Sequence, residues 1–365
     1  MFRRMCLVLA TIATALAPFA LPAQAAYHFS DFEATPPIHL YQTTSAGPKG
    51  LSPAQVKSIY DLPSTGGHGT IAIIDAYNDK TIETDLASFD KQFGLAACTK
   101  TDGCLTQHLM SASESTNNGW AMETSLDVEW AHAIAPNAKI LLVEATTQSG
   151  TNLINAVDYA TSTAGVVAVS MSWGGPESSD EKTMDSHFSK NGIAFFASAG
   201  DNGTGASWPA ASPNVIGVGG TSLALNSNGT LKTETAWSGS GGGVSAYESE
   251  PSYQTTYSIP RAGGMRAIPD VSFDADPASG FSVIDNGTWE TVGGTSAGAP
   301  QWAAITSLGS GANNPDFYQD KSSANNAAYF RDIKSGTNGS CGYFCTARAH
   351  YDYVTGLGSP LTTKF

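Results

Sequence analysis

Long runs of apolar residues restrict the fold of this 365-residue chain more than any other feature of its sequence. Three of them lie at Thr70–Ala76, Lys139–Glu144 and Val166–Ser172, and two more follow at Ile193–Ala199 and Val215–Val218. Hydrophobicity is continuous along each run, whereas a strand with one face in water alternates apolar and polar residues. The runs therefore predict strands that are covered on both faces, as in a parallel sheet.

Amphipathic stretches alternate with these runs and predict helices near Thr81–Phe93, Trp120–Ile134, Asn152–Thr163 and Asp180–Lys190. A further helix is predicted to begin at Ser52-Pro53, with Ser52 as its N-cap. This alternation is typical of an α/β, doubly wound fold, in which a mostly parallel sheet is flanked by helices. Residues 221–290 differ, because they carry turn sequences typical of added β-hairpins, at Asn228-Gly229 and Asn286-Gly287.

The N-terminal residues have the pattern of a secretory signal. Arginines at positions 3 and 4 precede an apolar run from Cys6 to Leu21, and an Ala-x-Ala sequence occupies residues 23–25. We therefore expect a signal peptide at 1–25, a short lead-in at 26–50 and one domain at 51–365, a length sufficient for one large core. This organisation predicts a secreted protein, either extracellular or periplasmic.

Composition excludes some partners. The formal net charge is −14 at pH 7, which argues against nucleic acid, because a phosphate backbone requires a basic face. The same charge argues against binding to anionic membranes. No apolar stretch after the signal is long enough to span a bilayer, so we expect a soluble protein without membrane attachment. We also expect the protein to be a monomer.

The cysteines fit an exported protein. Cys6 leaves with the signal, and the four that remain form two close pairs, Cys98/Cys104 and Cys341/Cys345. Four cysteines permit three pairings, and proximity favours the two local disulfides. A zinc site is the alternative, but the spacings of the cysteines match no common zinc motif.

Three segments carry residues suited to catalysis. Glu123 and Asp127 are four residues apart on a predicted helix, so their carboxyl groups share one face; buried together, they would share a proton. Ser296 opens an apolar helix after a strand and two glycines, where a serine is either an N-cap or a nucleophile. Asp201 follows a predicted strand at its carboxyl end, where α/β sheets place their active sites.

The order of these segments resembles the sedolisins, the serine-carboxyl peptidases with a subtilisin-like fold. The similarity runs from Leu51 to Pro360 and rests on Glu-x-x-x-Asp at 123–127, Ser-Trp-Gly-Gly at 172–175, Ser-Ala-Gly-Asp at 198–201 and Gly-Thr-Ser-Ala-x-x-Pro at 294–300. The resemblance implies a serine-type endopeptidase that acts on proteins or peptides at acidic pH. It makes Ser296 the nucleophile, Glu123 the general base, Asp127 its orienting partner and Asp201 a protonated oxyanion donor.

Other residues take their roles from the same resemblance. Asp75 and Trp173 would extend the catalytic network, although some sedolisins have Glu where this chain has Asp75. Ser172, Trp173 and Gly174 would form one wall of the substrate cleft and bind an extended peptide. His68, within a His-Gly-Thr sequence that also occurs in classical subtilases, and His132, nine residues after Glu123, are interpreted as non-catalytic.

The resemblance also implies one Ca²⁺ site near the C-terminus. Asp332, Ile333 and Asp352 match the family pattern of two carboxylates plus main-chain carbonyls. Arg348 and His350 occupy positions where the family usually has glycine, and their carbonyls would complete the ligand set. The alternative is that these acids are solvated and bind no metal.

Two other functions remain open from the sequence. One is a peptide-binding or adhesin-like protein that keeps the cleft without turnover. The other is a glycosidase that uses Glu123 and Asp127 as its carboxyl pair, which is disfavoured because side chains four apart on one helix do not flank a sugar from opposite sides.

Overall fold

A parallel sheet forms the centre of the protein in a computed structural model, which describes residues 28–112, 115–309, 313–319 and 326–363. The predicted signal peptide lies outside the described residues. The strands are β1 His39–Thr44, β2 Thr70–Ala76, β3 Leu105–Leu109, β4 Lys139–Ala145, β5 Val166–Met171, β6 Ala194–Ser198, β7 Ile216–Leu225, β8 Leu231–Ala236, β9 Gly243–Ser249, β10 Met265–Ile268, β11 Val271–Asp274, β12 Phe281–Asp285, β13 Thr288–Gly293, β14 Phe330–Arg331 and β15 Ser359–Pro360.

The helices connect these strands and cover the sheet. They are α1 Pro53–Ile59, α2 Ile82–Phe93, α3 Asn118–Ile134, α4 Gly150–Ser162, α5 Ser252–Tyr257, α6 Gly298–Leu308 and α7 Asn314–Tyr318. Short 3-10 turns occur at Phe29–Asp31, Glu181–Phe188, Thr295–Ala297, Asn326–Ala328 and Gly342–Cys345. Among the described residues, no helix has the length and apolar character needed to cross a membrane.

The main sheet has eight strands, and seven of them follow the order β11-β7-β6-β5-β2-β4-β3. Each neighbouring pair in that order is parallel, and β8 adds an antiparallel strand beside β7. All five apolar runs contribute to this sheet, which confirms the predicted doubly wound α/β fold. Both Asn-Gly sequences form the predicted turns, between β7 and β8 and between β12 and β13.

The sheet separates the two large clusters of the core. Along β2, Ile71 and Ile73 belong to the cluster that contains α3 and α6, whereas Ala72 and Ile74 belong to the cluster on the α4 side. Alternate side chains of a strand point to opposite faces, so both faces of β2 are buried. This burial explains why the strand sequences are apolar throughout.

The helix predictions hold with one exception. Ser52 caps α1 in a capping box with Gln55, and Asn117 caps α3 by accepting the N–H groups of Gly119 and Trp120. The predicted helix Asp180–Lys190 is instead the 3-10 turn Glu181–Phe188. Only its ends are buried, at Glu181 and Phe188, so it lacks the apolar stripe that packs an α-helix onto a sheet.

Candidate active site

Helix α3 brings Glu123 and Asp127 into the interior. Both carboxyl groups are fully buried, on a helix whose residues are buried from Glu123 to its last residue. The helix packs against β2 and α6, and this places its acids beside Asp75 at the end of β2. Three carboxyl groups therefore lie close together away from water.

Burial changes the protonation of this cluster. It raises the pKa of Glu123 well above the ordinary value, and the neighbouring charges of Asp127 and Asp75 raise it further. Burial also raises the pKa of Asp127 to about 8, and the nearby Ser172 hydroxyl and Glu123 carboxyl group act in the opposite direction. The pKa of Asp75 is raised by burial, by Asp127 and by Glu144. Acids that interact so closely titrate as a group, and the group keeps protons that isolated carboxyls would release.

Ser296 lies at the junction between β13 and α6, in the 3-10 turn Thr295–Ala297. It is buried, and its Oγ is 3.4 Å from the carbonyl oxygen of Ser172. The hydroxyl of Ser172 lies 2.9 Å from Asp127 Oδ1 and 3.2 Å from the Ser296 carbonyl. Neither carboxyl oxygen of Glu123 makes a hydrogen bond of good geometry with a described residue, although the Ser296 hydroxyl is close enough to lower its pKa.

Asp201 reaches the same site from the loop after β6. Its side chain is 5% exposed, and its Oδ1 accepts the N–H of Thr295 at 2.9 Å and the hydroxyl of Thr295 at 2.7 Å. Its Oδ2 is 3.1 Å from Nε2 of His39. Burial raises the pKa of Asp201, whereas His39 and Thr295 lower it. Thr295 and His39 were not predicted; the Thr in the Gly-Thr-Ser sequence was a signal for the first, and nothing local indicated the second.

Gly294 gives these groups room. Its φ of +131° is a conformation that residues with side chains rarely adopt. A β carbon at this position would lie 2.7 Å from Oδ2 of Asp201 and 2.0 Å from the carbonyl oxygen of Pro37. The glycine before the Thr-Ser pair therefore lets a carboxyl group and a main-chain carbonyl approach the same point beside Ser296.

The predicted cleft wall follows β5. Ser172 contacts Asp127, as described, and Gly174 exchanges main-chain hydrogen bonds with Thr35. Trp173 is buried, and its indole N–H donates to the carbonyl of Ile74 at 2.9 Å. Trp173 thus fixes the end of β2. Asp75, on the same strand, interacts electrostatically with Glu123 and Asp127.

The two histidines lie outside this cluster. His68 donates its main-chain N–H to the hydroxyl of Ser307, near the end of α6 that is remote from Ser296. His132 Nε2 lies 2.9 Å from the carbonyl of Ala96 and 3.3 Å from Asp90, as expected of a packed histidine. Both positions agree with the non-catalytic interpretation.

Both predicted disulfides are present, Cys98–Cys104 and Cys341–Cys345. Cys98, Cys104 and His132 come close enough together to suggest a metal site by distance alone. Sulfurs joined in a disulfide are not thiolate ligands, so this group does not fit zinc.

The predicted calcium residues converge in the C-terminal loops. The N–H of His350 donates to both oxygens of Asp332 at 3.1 Å, and the N–H of Arg348 donates to Asp352 at 3.0 Å. The carbonyls of Ile333, Arg348 and His350 accept no hydrogen bond from the described residues. The guanidinium of Arg348 lies over the ring of Tyr343, 4.4 Å from its centroid. Two carboxylates and three free carbonyls are oxygen donors of the kind that Ca²⁺ takes, so the donor chemistry fits this ion. A bound ion would compete with the hydrogen bonds that Arg348, Val354 and Thr355 donate to Asp352, and with Lys334, whose Nζ lies 3.4 Å from Asp332 Oδ2.

This fold and sequence have known relatives. Residues 103–325 match the subtilase family. The chain is 31% identical over 362 residues to sedolisin from Pseudomonas sp. (strain 101), covering 87% of this chain and 61% of that protein. It is 34% identical over 364 residues to kumamolisin from Bacillus sp. (strain MN-32), covering 88% and 64%. The chain therefore spans less than two thirds of the length of either relative.

A solved structure has a similar fold over most of the chain. It is that of Pseudomonas sedolisin (serine-carboxyl proteinase) complexed with two molecules of pseudo-iodotyrostatin, with a TM-score of 0.74 and 30% identity. The match covers 86% of this chain and 96% of that one. More than half of the chain matches the subtilase family, and the chain belongs to it. Within that class it belongs to the sedolisins, the serine-carboxyl peptidases, as its motifs predicted.

Proposed function

We propose that this protein is an exported endopeptidase that cleaves peptide bonds at acidic pH, with Ser296 as nucleophile. The observation that carries the proposal is the buried carboxyl pair of Glu123 and Asp127 beside a serine at the opening of α6. A carboxylate is a weak base at neutral pH, and it is better matched to an acidic medium, whose pH lies nearer to the ordinary pKa of a carboxyl group. The signal sequence at 1–25 supports export.

The chemistry divides into two displacements. Ser296 Oγ attacks the substrate carbonyl carbon while Glu123 accepts its proton, and the departing amine takes that proton as the peptide C–N bond breaks. Water then attacks the serine ester, again with Glu123 as base, and releases the acid. Asp127 interacts with Glu123 and orients this base for the proton transfer. Asp201, when neutral, and the N–H of Ser296 donate to the oxyanion.

Main-chain recognition suits peptides in general. Gly174 exchanges main-chain hydrogen bonds with Thr35 at the cleft wall. An extended peptide in the place of Thr35 would bind the same edge as an added strand. Glu123 and Asp127 lie on one face of α3 and interact directly, which leaves no space for a sugar between them. The arrangement thus supports peptide rather than glycoside hydrolysis.

The test is Ser296→Ala in the full chain, assayed on an unstructured protein at about pH 4. We expect turnover to fall by about 10⁴-fold or more, because the covalent step is lost. Ser282→Ala is the matched control: Ser282 is also fully buried, and its hydroxyl has no partner among the described residues. Equal turnover by Ser296→Ala and the wild type would contradict the proposal. Peptide binding by the wild type without cleavage would favour the adhesin-like alternative.

We also propose that the loops carrying Asp332, Ile333, Arg348, His350 and Asp352 bind one Ca²⁺. Bound ion stabilises the folded state, by about 2.7 kcal/mol at a concentration one hundred times its Kd. After chelation, added Ca²⁺ should raise the unfolding temperature more than Mg²⁺ does. Asp352→Asn should remove this increment, and the exposed Asp158→Asn should keep it. An identical increment in both variants would contradict a site at these residues.

A further inference from the structure

A cavity opens between α5, the end of α7 and the C-terminal loops, and none of its lining residues belongs to the candidate active site. Its volume is about 730 Å³, which lies within the range of about 300–1,000 Å³ that is usual for small-molecule sites. Part of its wall is exposed, at Thr256, Arg348 and His350, so a ligand can enter from solvent. The cavity therefore has the size and the access of a binding site that the proposed peptidase chemistry does not use.

Four tyrosines line this cavity, Tyr257, Tyr318, Tyr343 and Tyr351. The ring of Tyr257 lies edge-on to that of Tyr318, with the two centroids 5.4 Å apart. Aromatic rings attract one another in stacked and edge-on arrangements. A wall of this composition favours a ligand that is itself aromatic.

Two of these tyrosines have buried hydroxyl groups without a partner. The hydroxyls of Tyr257 and Tyr351 make no hydrogen bond with a described residue, and Tyr351 is only 3% exposed. A buried polar group without a partner is costly, and native proteins contain few of them. A ligand that accepts hydrogen bonds would satisfy these two donors.

Arginine supplies positive charge at the cavity. Of the four arginines among the described residues, Arg266 and Arg331 form ion pairs with carboxylates. Arg348 instead lies over the ring of Tyr343, and Arg261 lies over the same ring, 4.0 Å from its centroid. Neither of these two guanidinium groups forms an ion pair with a described residue. Stacking uses the face of a guanidinium and leaves the N–H groups at its edge for an anion.

One acid, Asp332, comes near the cavity. Burial raises the pKa of Tyr257 to about 12, and the charge of Asp332 adds to this effect. Asp332 is itself paired with Lys334, whose Nζ lies 3.4 Å from its Oδ2. Because Lys334 balances this acid, the charge of Arg348 is left for a ligand.

We propose that this cavity binds an aromatic carboxylate. The ring of the ligand packs against the tyrosine rings, and its carboxylate accepts hydrogen bonds from the edge of the Arg348 guanidinium, a geometry that the two groups share. A neutral sugar would leave the arginine unpaired, and a cation would be repelled by it. The proposal goes beyond the peptidase function and does not rest on it. It uses the side chain of Arg348, whereas the proposed Ca²⁺ site uses the main-chain carbonyl.

Two sources can supply this chemistry, a free aromatic acid and the C-terminal residue of a peptide that ends in Phe, Tyr or Trp. The experiment uses the full chain with Ser296→Ala, which removes turnover, and measures binding by calorimetry at about pH 6, where ordinary carboxyl groups are ionised. The probes are benzoate and N-acetyl-phenylalanine, each compared with its uncharged amide. Tighter binding of benzoate would identify a free acid as the ligand, and tighter binding of N-acetyl-phenylalanine would identify a peptide end.

We expect each acid that binds to do so at least about tenfold more tightly than its amide, because the amide lacks the charge that pairs with Arg348. Equal binding of acid and amide, or no binding of either acid, would contradict the proposal.

Substitutions locate the site. Arg348→Gln should weaken binding of the acid by about tenfold and leave binding of the amide unchanged. Arg261→Gln is the matched control, because Arg261 stacks on the same ring but does not line the cavity, and it should bind the acid like the parent. Equal affinities in these two variants would overturn the proposal.

Tyr351→Phe provides a test that does not depend on the arginine variant. It removes a hydroxyl that has no partner among the described residues, so the protein should fold like the parent, which thermal unfolding checks. The acid should bind about fivefold more weakly, because one hydrogen bond to the ligand is lost. Unchanged affinity in a folded Tyr351→Phe protein would count against this cavity as the binding site.

Discussion

The proton of a neutral Asp201 belongs on Oδ2. Its Oδ1 already accepts two donors from Thr295, so this oxygen acts as an acceptor. His39 approaches Oδ2 at 3.1 Å and lowers the pKa of Asp201, while Asp201 in turn raises the pKa of His39. A residue of the lead-in therefore favours the ionised form of the proposed oxyanion donor.

Replacing this histidine should widen the pH range of activity. His39→Gln removes a group that lowers the pKa of Asp201, so Asp201 keeps its proton to higher pH and the alkaline limb of the kcat/KM profile should move upward. The profile of external peptide cleavage measures this. His187→Gln is the matched control, because His187 pairs with Asp158 at a partly exposed position. If the alkaline limb of the profile does not shift in His39→Gln, or shifts equally in His187→Gln, then His39 does not control the protonation of Asp201.

At the scale of elements, a buried ion pair joins strands and a helix behind the site. Arg266 donates two hydrogen bonds to the carboxylate of Asp270, and both side chains are fully buried. Asp270 also accepts the N–H of Gly217 at 2.8 Å and the hydroxyl of Tyr318 at 2.8 Å. These contacts connect β7, β10 and α7 through the residue that precedes β11.

Asp270→Asn should destabilise the fold strongly. It leaves the Arg266 charge buried without its partner, which typically costs about 3–5 kcal/mol. Denaturant unfolding measures the loss. Glu83→Gln is the control, because the Lys100–Glu83 pair is about 40% exposed on both sides and such pairs contribute less than about 1 kcal/mol. Losses of similar size in the two variants would contradict the role assigned to Asp270.

Local sequence patterns predicted the strands and most of the helices, because a buried face requires apolar residues and these are visible in the sequence of each element. The run at 70–76 is apolar throughout because both faces of β2 are covered. The spacing of four residues between Glu123 and Asp127 predicts that they share one face of α3. The 3-10 turn at 181–188 was mistaken for an α-helix, since helical propensity does not report which residues find a surface to pack on. His39 was missed because the contact with Asp201 joins residues far apart in sequence.

For the whole molecule, buried acids connect stability to pH. Burial raises the pKa of Asp285 to about 6, of Glu144, Glu248 and Glu290 to about 7, of Asp127 to about 8 and of Glu181 to about 9. An acid with a raised pKa in the folded state binds more protons there than in the unfolded chain. Its contribution to stability is complete below the unfolded pKa and is lost as pH rises through the folded pKa.

Stability should therefore fall as pH rises from about 4 to about 9. We expect the highest unfolding temperature near the acidic end, measured by thermal unfolding at constant ionic strength with Ser296→Ala, which does not digest itself. Glu181→Gln should flatten the decline at its upper end, and the exposed Asp158→Asn should not. An unfolding temperature that increases from pH 4 to pH 8 would overturn this prediction.

The aromatic contacts of Phe29 and Phe32 with Trp208 bear on what an added protease would produce by cutting the exposed strand β1. The described residues before such a cut would stay anchored by these rings and by the bridge between Glu33 and Ser149. The nicked protein would migrate as one particle in a native gel and separate into a small peptide and a large fragment only in detergent.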